Sequence, residues 1–126
     1  MQAASMFTAK VALKVIEVTT EDRLNYVRKM GAAIKKRLKE AGEKNDRVFD
    51  VRGMGFIIGV ELALDGKPDK RYAHKVREFM LRRGLVCSLV GPHDNVVKVS
   101  PPILIDEETL EEAINIIEEA LRRAKP

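Results

Sequence analysis

The chain has 126 residues, of which 45% are hydrophobic and 33% charged, and carries a net charge of +4. This length is enough for one compact core that buries roughly two-thirds of the surface its unfolded chain exposes. Acidic and basic residues are interspersed in most segments, which argues against the one-sided basic stripe of a nucleic-acid-binding protein and reads as a solvated surface.

From about Ala3 to Val18 the chain carries Ala, Met, Phe, Val, Leu and Ile with few breakers, the pattern of a largely buried helix. A polar break, Thr19-Thr20-Glu21-Asp22, separates it from a second helix over about Glu21 to Ala41. There Leu24, Val27, Gly31, Ile34, Leu38 and Ala41 recur at three- and four-residue spacings, with Gly42 as the expected C-terminal cap. The densest basic run, Lys35-Lys36-Arg37 with Lys39, falls on the outward side of this helix and has no interleaved aromatic residues. Val48 to Leu64 is rich in β-branched residues and punctuated by glycine. It predicts a short strand near Val48 to Val51, a turn at Gly53 to Gly55 and a longer strand from Phe56 to Leu62.

Asp65-Gly66-Lys67-Pro68 reads as a turn, and Tyr72, Ala73, Val76, Phe79 and Met80 give the helix of Lys70 to Arg83 its apolar face, with Gly84 as cap. Strands follow at Val86 to Leu89 and Val96 to Val99, joined by the turn Gly91-Pro92-His93-Asp94. Pro101-Pro102 ends the second of them, because proline has no N–H to give a sheet. In the last helix Asp106 is the N-cap, acidic residues crowd the first turn, and Arg122, Arg123 and Lys125 complement the other end of the dipole. Leu110, Ala113, Ile114, Ile117, Leu121 and Ala124 form its buried stripe. Strand connections too short for parallel crossovers predict an α+β fold: a small, mostly antiparallel sheet with helices on one face, preceded by a long connecting helix.

Most candidate chemistry fails on physical grounds. Gly53, Gly55 and Gly59 do not open a helix as a phosphate-binding glycine loop must, so they read as strand features. Ser88 and Ser100 lack a motif that would activate either hydroxyl. Glu107, Glu108, Glu111 and Glu112 serve capping and solvation better than acid–base catalysis. Cys87, the single cysteine, excludes an internal disulfide, suits a reducing compartment and lies in an apolar run as a small buried residue. His74 and His93 are too far apart to suggest a metal site, so no metal is expected. With no signal-peptide pattern and no apolar run near the roughly 20 residues that span a bilayer, the expected setting is cytoplasmic.

Two runs carry more than local structure: Val51-Arg52-Gly53-Met54-Gly55-Phe56-Ile57-Ile58-Gly59-Val60-Glu61-Leu62, and Asn95-Val96-Val97-Lys98-Val99-Ser100-Pro101-Pro102-Ile103-Leu104-Ile105 before an acidic helix start. With Ala12-Leu13-Lys14-Val15-Ile16-Glu17 and Arg83-Gly84-Leu85-Val86, in this order, they resemble the C-terminal part of a class III aminotransferase of fold type I. The resemblance implies a small domain, 21–126, preceded by a connecting helix, 1–20, that leaves an absent large domain. Complete members of the family are homodimers that exchange an amino group between an amino acid or amine and a 2-oxo acid, using pyridoxal phosphate held as a Schiff base. The family's Schiff-base lysine and other main cofactor contacts precede the matched segment. The resemblance therefore assigns no catalytic and no cofactor-binding residue here, and implies that this chain alone is inactive and binds no cofactor.

One substrate-binding position carries over. Where many members have an arginine that recognises a substrate carboxylate, this sequence has Lys98, which keeps the charge but not the planar fork. The resemblance leaves open which amino donor and acceptor are used. The apolar first helix further predicts self-association of the chain. A competing reading is a stand-alone α+β small-molecule-binding or interaction module of ferredoxin-like type, which leaves that helix and the Ser100-Pro101-Pro102 segment unexplained.

Overall fold

A computed structural model describes residues 5–124. Helix α1 spans Met6–Val18 and α2 spans Glu21–Gly42; strands β1, Val48–Met54, and β2, Ile57–Leu64, form a hairpin, and the two-residue strand β3, Lys67–Pro68, folds back on the end of β2. Helix α3, Lys70–Arg82, strands β4, Ser88–Val90, and β5, Val96–Val99, and helix α4, Glu107–Arg123, complete the order. The main sheet runs β1-β2-β5-β4 with every pairing antiparallel. This is the α+β arrangement expected from the short connections.

Side-chain alternation divides the sheet into two faces. Val51, Ile58, Val60, Leu62, Val97 and Val99 point to one side, where they are buried with Ile34 and Leu38 of α2, Tyr72, Val76 and Met80 of α3, and Leu110, Ile114, Ile117 and Leu121 of α4. The helical periodicities read from the sequence correspond to these buried stripes. The predicted caps Asp106 and Gly84 also hold: the Asp106 carboxylate accepts from the Thr109 N–H, and Gly84 has φ +84°.

Several expectations need correction. Gly42 is the last residue of α2 and has no left-handed backbone; Glu43, with φ −58°, is the cap. A Cβ at Gly42 would stand 2.8 Å from Val48 Cγ1, so the glycine makes room for packing instead of reversing the chain. The first strand continues three residues past Val51 to Met54, because the turn lies at Gly55-Phe56 and is tighter than the expected Gly53 to Gly55 turn. Strand β4 is shifted to Ser88–Val90, and Lys67-Pro68, expected as turn, is paired strand; Asp65 and Gly66, at φ 51° and 73°, supply the reversal. The start expected at Ala3 lies outside the described residues, and Ser5 caps α1, its hydroxyl accepting from the Thr8 N–H.

The largest departure concerns burial of α1. It has no buried residue, and Met6, Phe7, Leu13 and Ile16 are each more than half exposed. On the helical wheel Lys10, Lys14 and Glu17 occupy one narrow stripe and apolar residues fill most of the rest. The apolar pattern is real, but no described residue of this chain covers it.

Long-range polar contacts hold the helical layer together. Arg37 on α2 reaches α4, donating to Glu118 at 2.7 and 3.0 Å and to Glu111 at 2.6 Å. The bonds to Glu118 are the main cause that raises its pKa further, so the middle of the basic run is an interhelical clamp. The Tyr72 hydroxyl donates to the Leu121 carbonyl at 2.7 Å, and the Asn45 amide donates to the same carbonyl at 2.8 Å and to the Tyr72 oxygen at 2.9 Å. These bonds satisfy a carbonyl in the last turn of α4, where intrahelical donors run out.

Candidate functional site

The face of the sheet turned away from the helices is open, and the register places one row of residues across it. Lys98 on β5 pairs with Gly59 on β2 and Ser88 on β4, while Gly59 pairs in turn with Arg52 on β1. The row therefore reads Arg52, Gly59, Lys98, Ser88. Lys98 is exposed and has no ion pair among the described residues. Arg52 differs sharply: it donates to Glu61 at 2.6 Å and to Asp50 at 3.0 Å, and these bonds, Glu61 first, raise its pKa. Two carboxylates thus compensate Arg52, which leaves Lys98 as the cation in this row that is free to receive an anion.

Glycine keeps the middle of the row low. A Cβ at Gly59 would stand 3.0 Å from Val96 Cγ1, so a side chain there would crowd β5 beside Lys98. The other two glycines of the run shape the hairpin tip. Gly53 has φ 143° and Gly55 φ 53°, both in the region that L-residues rarely adopt. The tip is braced from the helical side: a Cβ at Gly31 of α2 would fall on the Gly55 carbonyl, and the Lys35 ammonium donates to the Gly53 carbonyl at 3.1 Å. Met54 and Ile57 remain 87% and 68% exposed at this braced tip, so they are presented outward on a fixed support.

Asn95, the first residue of the second informative run, has a role that the sequence did not reveal. It is 2% exposed; its side-chain amide donates to the Leu62 carbonyl at 2.9 Å and its own carbonyl accepts from the Leu62 N–H at 2.8 Å. It thereby locks β5 in register on β2, and register decides that Lys98 faces outward. An asparagine just before a β-branched run was the available signal. Ser88 and Ser100 are exposed, and neither is hydrogen-bonded to a base among the described residues. Cys87 is half-buried, and burial pushes its thiol pKa up, the opposite of what a nucleophilic thiolate needs.

This small antiparallel sheet with helices on one side is found in known proteins. The aminotransferase class-III family model matches residues 3–121, and the chain belongs to that family. It is 35% identical over 115 residues to an alanine/serine racemase of Pyrococcus horikoshii, covering 90% of this chain and 24% of the racemase. It is 30% identical over 127 residues to the 4-aminobutyrate aminotransferase of Escherichia coli, covering 98% of this chain and 30% of that enzyme. Among solved structures, a transaminase from the marine bacterium Virgibacillus superposes with a TM-score of 0.78 at 31% identity over 93% of this chain and 28% of its own. The chain thus spans between about a quarter and a third of the length of such curated relatives.

The family implies pyridoxal phosphate in the complete enzyme. The described residues of this chain do not fit that cofactor by themselves. A Schiff-base lysine is tuned by desolvation, yet no described lysine is buried, and Lys35, the most shielded, is occupied by the Gly53 carbonyl. The glycine run turns a hairpin and offers no helix N-terminus for a phosphate. Asn95, a buried polar side chain, is spent on a backbone carbonyl.

Proposed function

We propose that residues 21–126 serve as the small domain of a pyridoxal-phosphate-dependent transaminase, and that residues 1–20, which include α1, are the segment joining it to a large domain that supplies the Schiff-base lysine. In that enzyme an amino group passes between an amino acid or amine and a 2-oxo acid. The observation that supports the reading is the open face, in a chain of the aminotransferase class-III family: Lys98 is the uncompensated cation in a row where Arg52 is neutralised. Lys98 receives the substrate carboxylate. An ammonium attracts it as a point charge, with less directional preference than the two-pronged fork of an arginine, so substrates whose anion sits at different angles are tolerated.

The apolar surface of α1 supports the same division of labour. A helix with one narrow polar stripe is suited to burial on more than one side, here against the large domain and against a second subunit. On its own the 126-residue chain neither binds the cofactor at a defined lysine nor transaminates, and it self-associates through α1.

Two measurements test this. The purified chain is incubated with pyridoxal phosphate, reduced with borohydride and mapped by mass spectrometry. The expected result is scattered low-level modification; one defined pyridoxyl-lysine accompanied by turnover defeats the proposal. In an enzyme joined to its large domain, Lys98→Ala is expected to raise KM for the anionic substrate far more than it lowers kcat, and an unchanged KM removes Lys98 from the site.

A further inference from the structure

The pair Asp65-Gly66 forms the whole loop between Leu64 and Lys67, which face each other across the β2–β3 hairpin. Its backbone angles φ are 51° and 73°, so an aspartate holds a left-handed conformation that L-residues rarely adopt. Both residues are exposed, and a Cβ at Gly66 would meet nothing within 4 Å. Neither the Asp65 carboxylate nor the Gly66 N–H has a hydrogen-bond or ion-pair partner among the described residues. Asp65 is also the one aspartate in the sequence that precedes a glycine.

We propose that Asp65 is a site of spontaneous isoaspartate formation in the folded chain. The Gly66 nitrogen attacks Asp65 Cγ; the new C–N bond forms as the C–OH bond of the protonated carboxyl breaks, and the hydroxyl leaves with the amide proton as water. Water then adds to the five-membered imide. Addition at Cγ restores aspartate, whereas addition at the main-chain carbonyl carbon breaks its bond to nitrogen and leaves the chain running through Cγ. A side chain on the following residue would crowd the attack, and glycine has none. The attack also requires rotation about the Asp65 Cα–C bond, which is resisted by the two pairs of β3, Ala63 with Pro68 and Leu64 with Lys67. Isoaspartate lengthens the main chain by one methylene, so the two-residue turn loses its fit and these pairs open. The change stops at Asp69, whose N–H donates to the Leu62 carbonyl at 3.0 Å and whose carboxylate is paired with Arg47.

Asp94 is an internal comparison, with φ 49°. Its carboxylate accepts from Lys70 at 2.8 Å, which holds its pKa down, and the next residue, Asn95, is 2% exposed and bonded to the Leu62 carbonyl. The two aspartates share a backbone conformation, but Asp94 has neither the open neighbour nor the unengaged carboxyl. The inference goes beyond the transaminase reading, since it needs no cofactor, no large domain and no part of the open sheet face.

The 126-residue chain is aged in mildly acidic buffer made with heavy-oxygen water, then digested in ordinary water and mapped by mass spectrometry. The peptide holding Asp65 is expected to gain heavy oxygen and to split into two isomers, one of which fragments as isoaspartate, while the Asp94 peptide gains none. A linear peptide of residues 62–69 sets the rate without the fold. The folded chain is expected to react within about tenfold of it, so that the fold adds less than about 1.4 kcal/mol to the barrier. In the aged chain, amide hydrogen exchange quickens at Leu64 and Lys67 and is unchanged at Asp69. Gly66→Ala slows the labelling, and the comparisons with Asp94 and with the peptide use the unaltered chain, so they stand if that variant misfolds. No heavy oxygen at Asp65, equal labelling at Asp94, or a folded rate more than about tenfold below that of the peptide overturns the proposal. A failed search for the large domain leaves these readouts intact, so the two readings fail separately.

Discussion

Replacing Gly31 by alanine sets two effects of opposite sign against each other in one residue. Helix propensity favours alanine over an interior glycine by about 1 kcal/mol, so a helix considered alone gains stability. In this fold a Cβ at Gly31 falls on the carbonyl, carbonyl carbon and Cα of Gly55, all backbone atoms that cannot rotate away. Relieving such overpacking costs about 1–3 kcal/mol, and lifting α2 from the hairpin also breaks the Lys35 bond to the Gly53 carbonyl, a further 0.5–1.5 kcal/mol at about the usual net value. The sum is a net loss of about 0.5–3.5 kcal/mol. Urea unfolding followed by far-UV circular dichroism measures it as a lower midpoint at unchanged m-value. Ala32→Gly, at an exposed neighbour in the same helix, calibrates propensity alone, with an expected loss of about 1 kcal/mol. Gly31→Ala that equals or exceeds the parent in stability refutes the close-contact argument.

Other outcomes follow from contacts already described. Tyr72→Phe leaves the Leu121 carbonyl one donor from Asn45 but strands one Asn45 N–H, so the same unfolding assay should show a loss of about 1–2 kcal/mol. Combined with Asn45→Ala the two losses should fall short of additive, because both variants break the same bond. Ile114→Ala removes a side chain only 1% exposed and should cost about 2–5 kcal/mol, measured by thermal unfolding. The Asp106 carboxylate accepts from the Thr109 N–H and hydroxyl, which holds its pKa below the ordinary 3.8. A group depressed in the folded state contributes above its unfolded pKa and loses that contribution as pH falls through the folded one. Asp106→Asn should therefore differ from the parent most near neutrality, and the gap should narrow in acid titrations below about pH 4.

Much of this fold was legible because helix and strand periods are local. The stripes of α2, α3 and α4 follow from spacing alone, and Asp106 and Gly84 announce their roles by residue type. Glycine was harder, since one residue serves three needs: Gly84 reverses the chain, Gly42 clears space for Val48, and Gly31 admits the Gly55 carbonyl. The last two depend on what packs against them, Val48 six residues on and Gly55 across the fold, and a linear pattern does not display such contacts. The same limit hid Asn95 and the compensation of Arg52, because both rest on which strand lies beside which. Lys98 could be singled out by resemblance; that it alone of the two cations in its row is uncompensated required the register. The apolar pattern of α1 was legible but its cover was not: apolar composition reports a tendency to be covered, and the cover need not come from the same stretch of chain.

The junction between α1 and α2 has a mechanical consequence. Thr19 closes the first helix with its hydroxyl on the Val15 carbonyl at 2.6 Å, and Thr20 opens the second by accepting from the Arg23 N–H at 3.3 Å. Each helix therefore terminates in its own hydrogen bonds, with only the two-residue link between them. A change of angle there unwinds neither helix. The angle between α1 and the rest of the fold is therefore set at Thr19 and Thr20, outside the hydrogen-bond ladders of both helices.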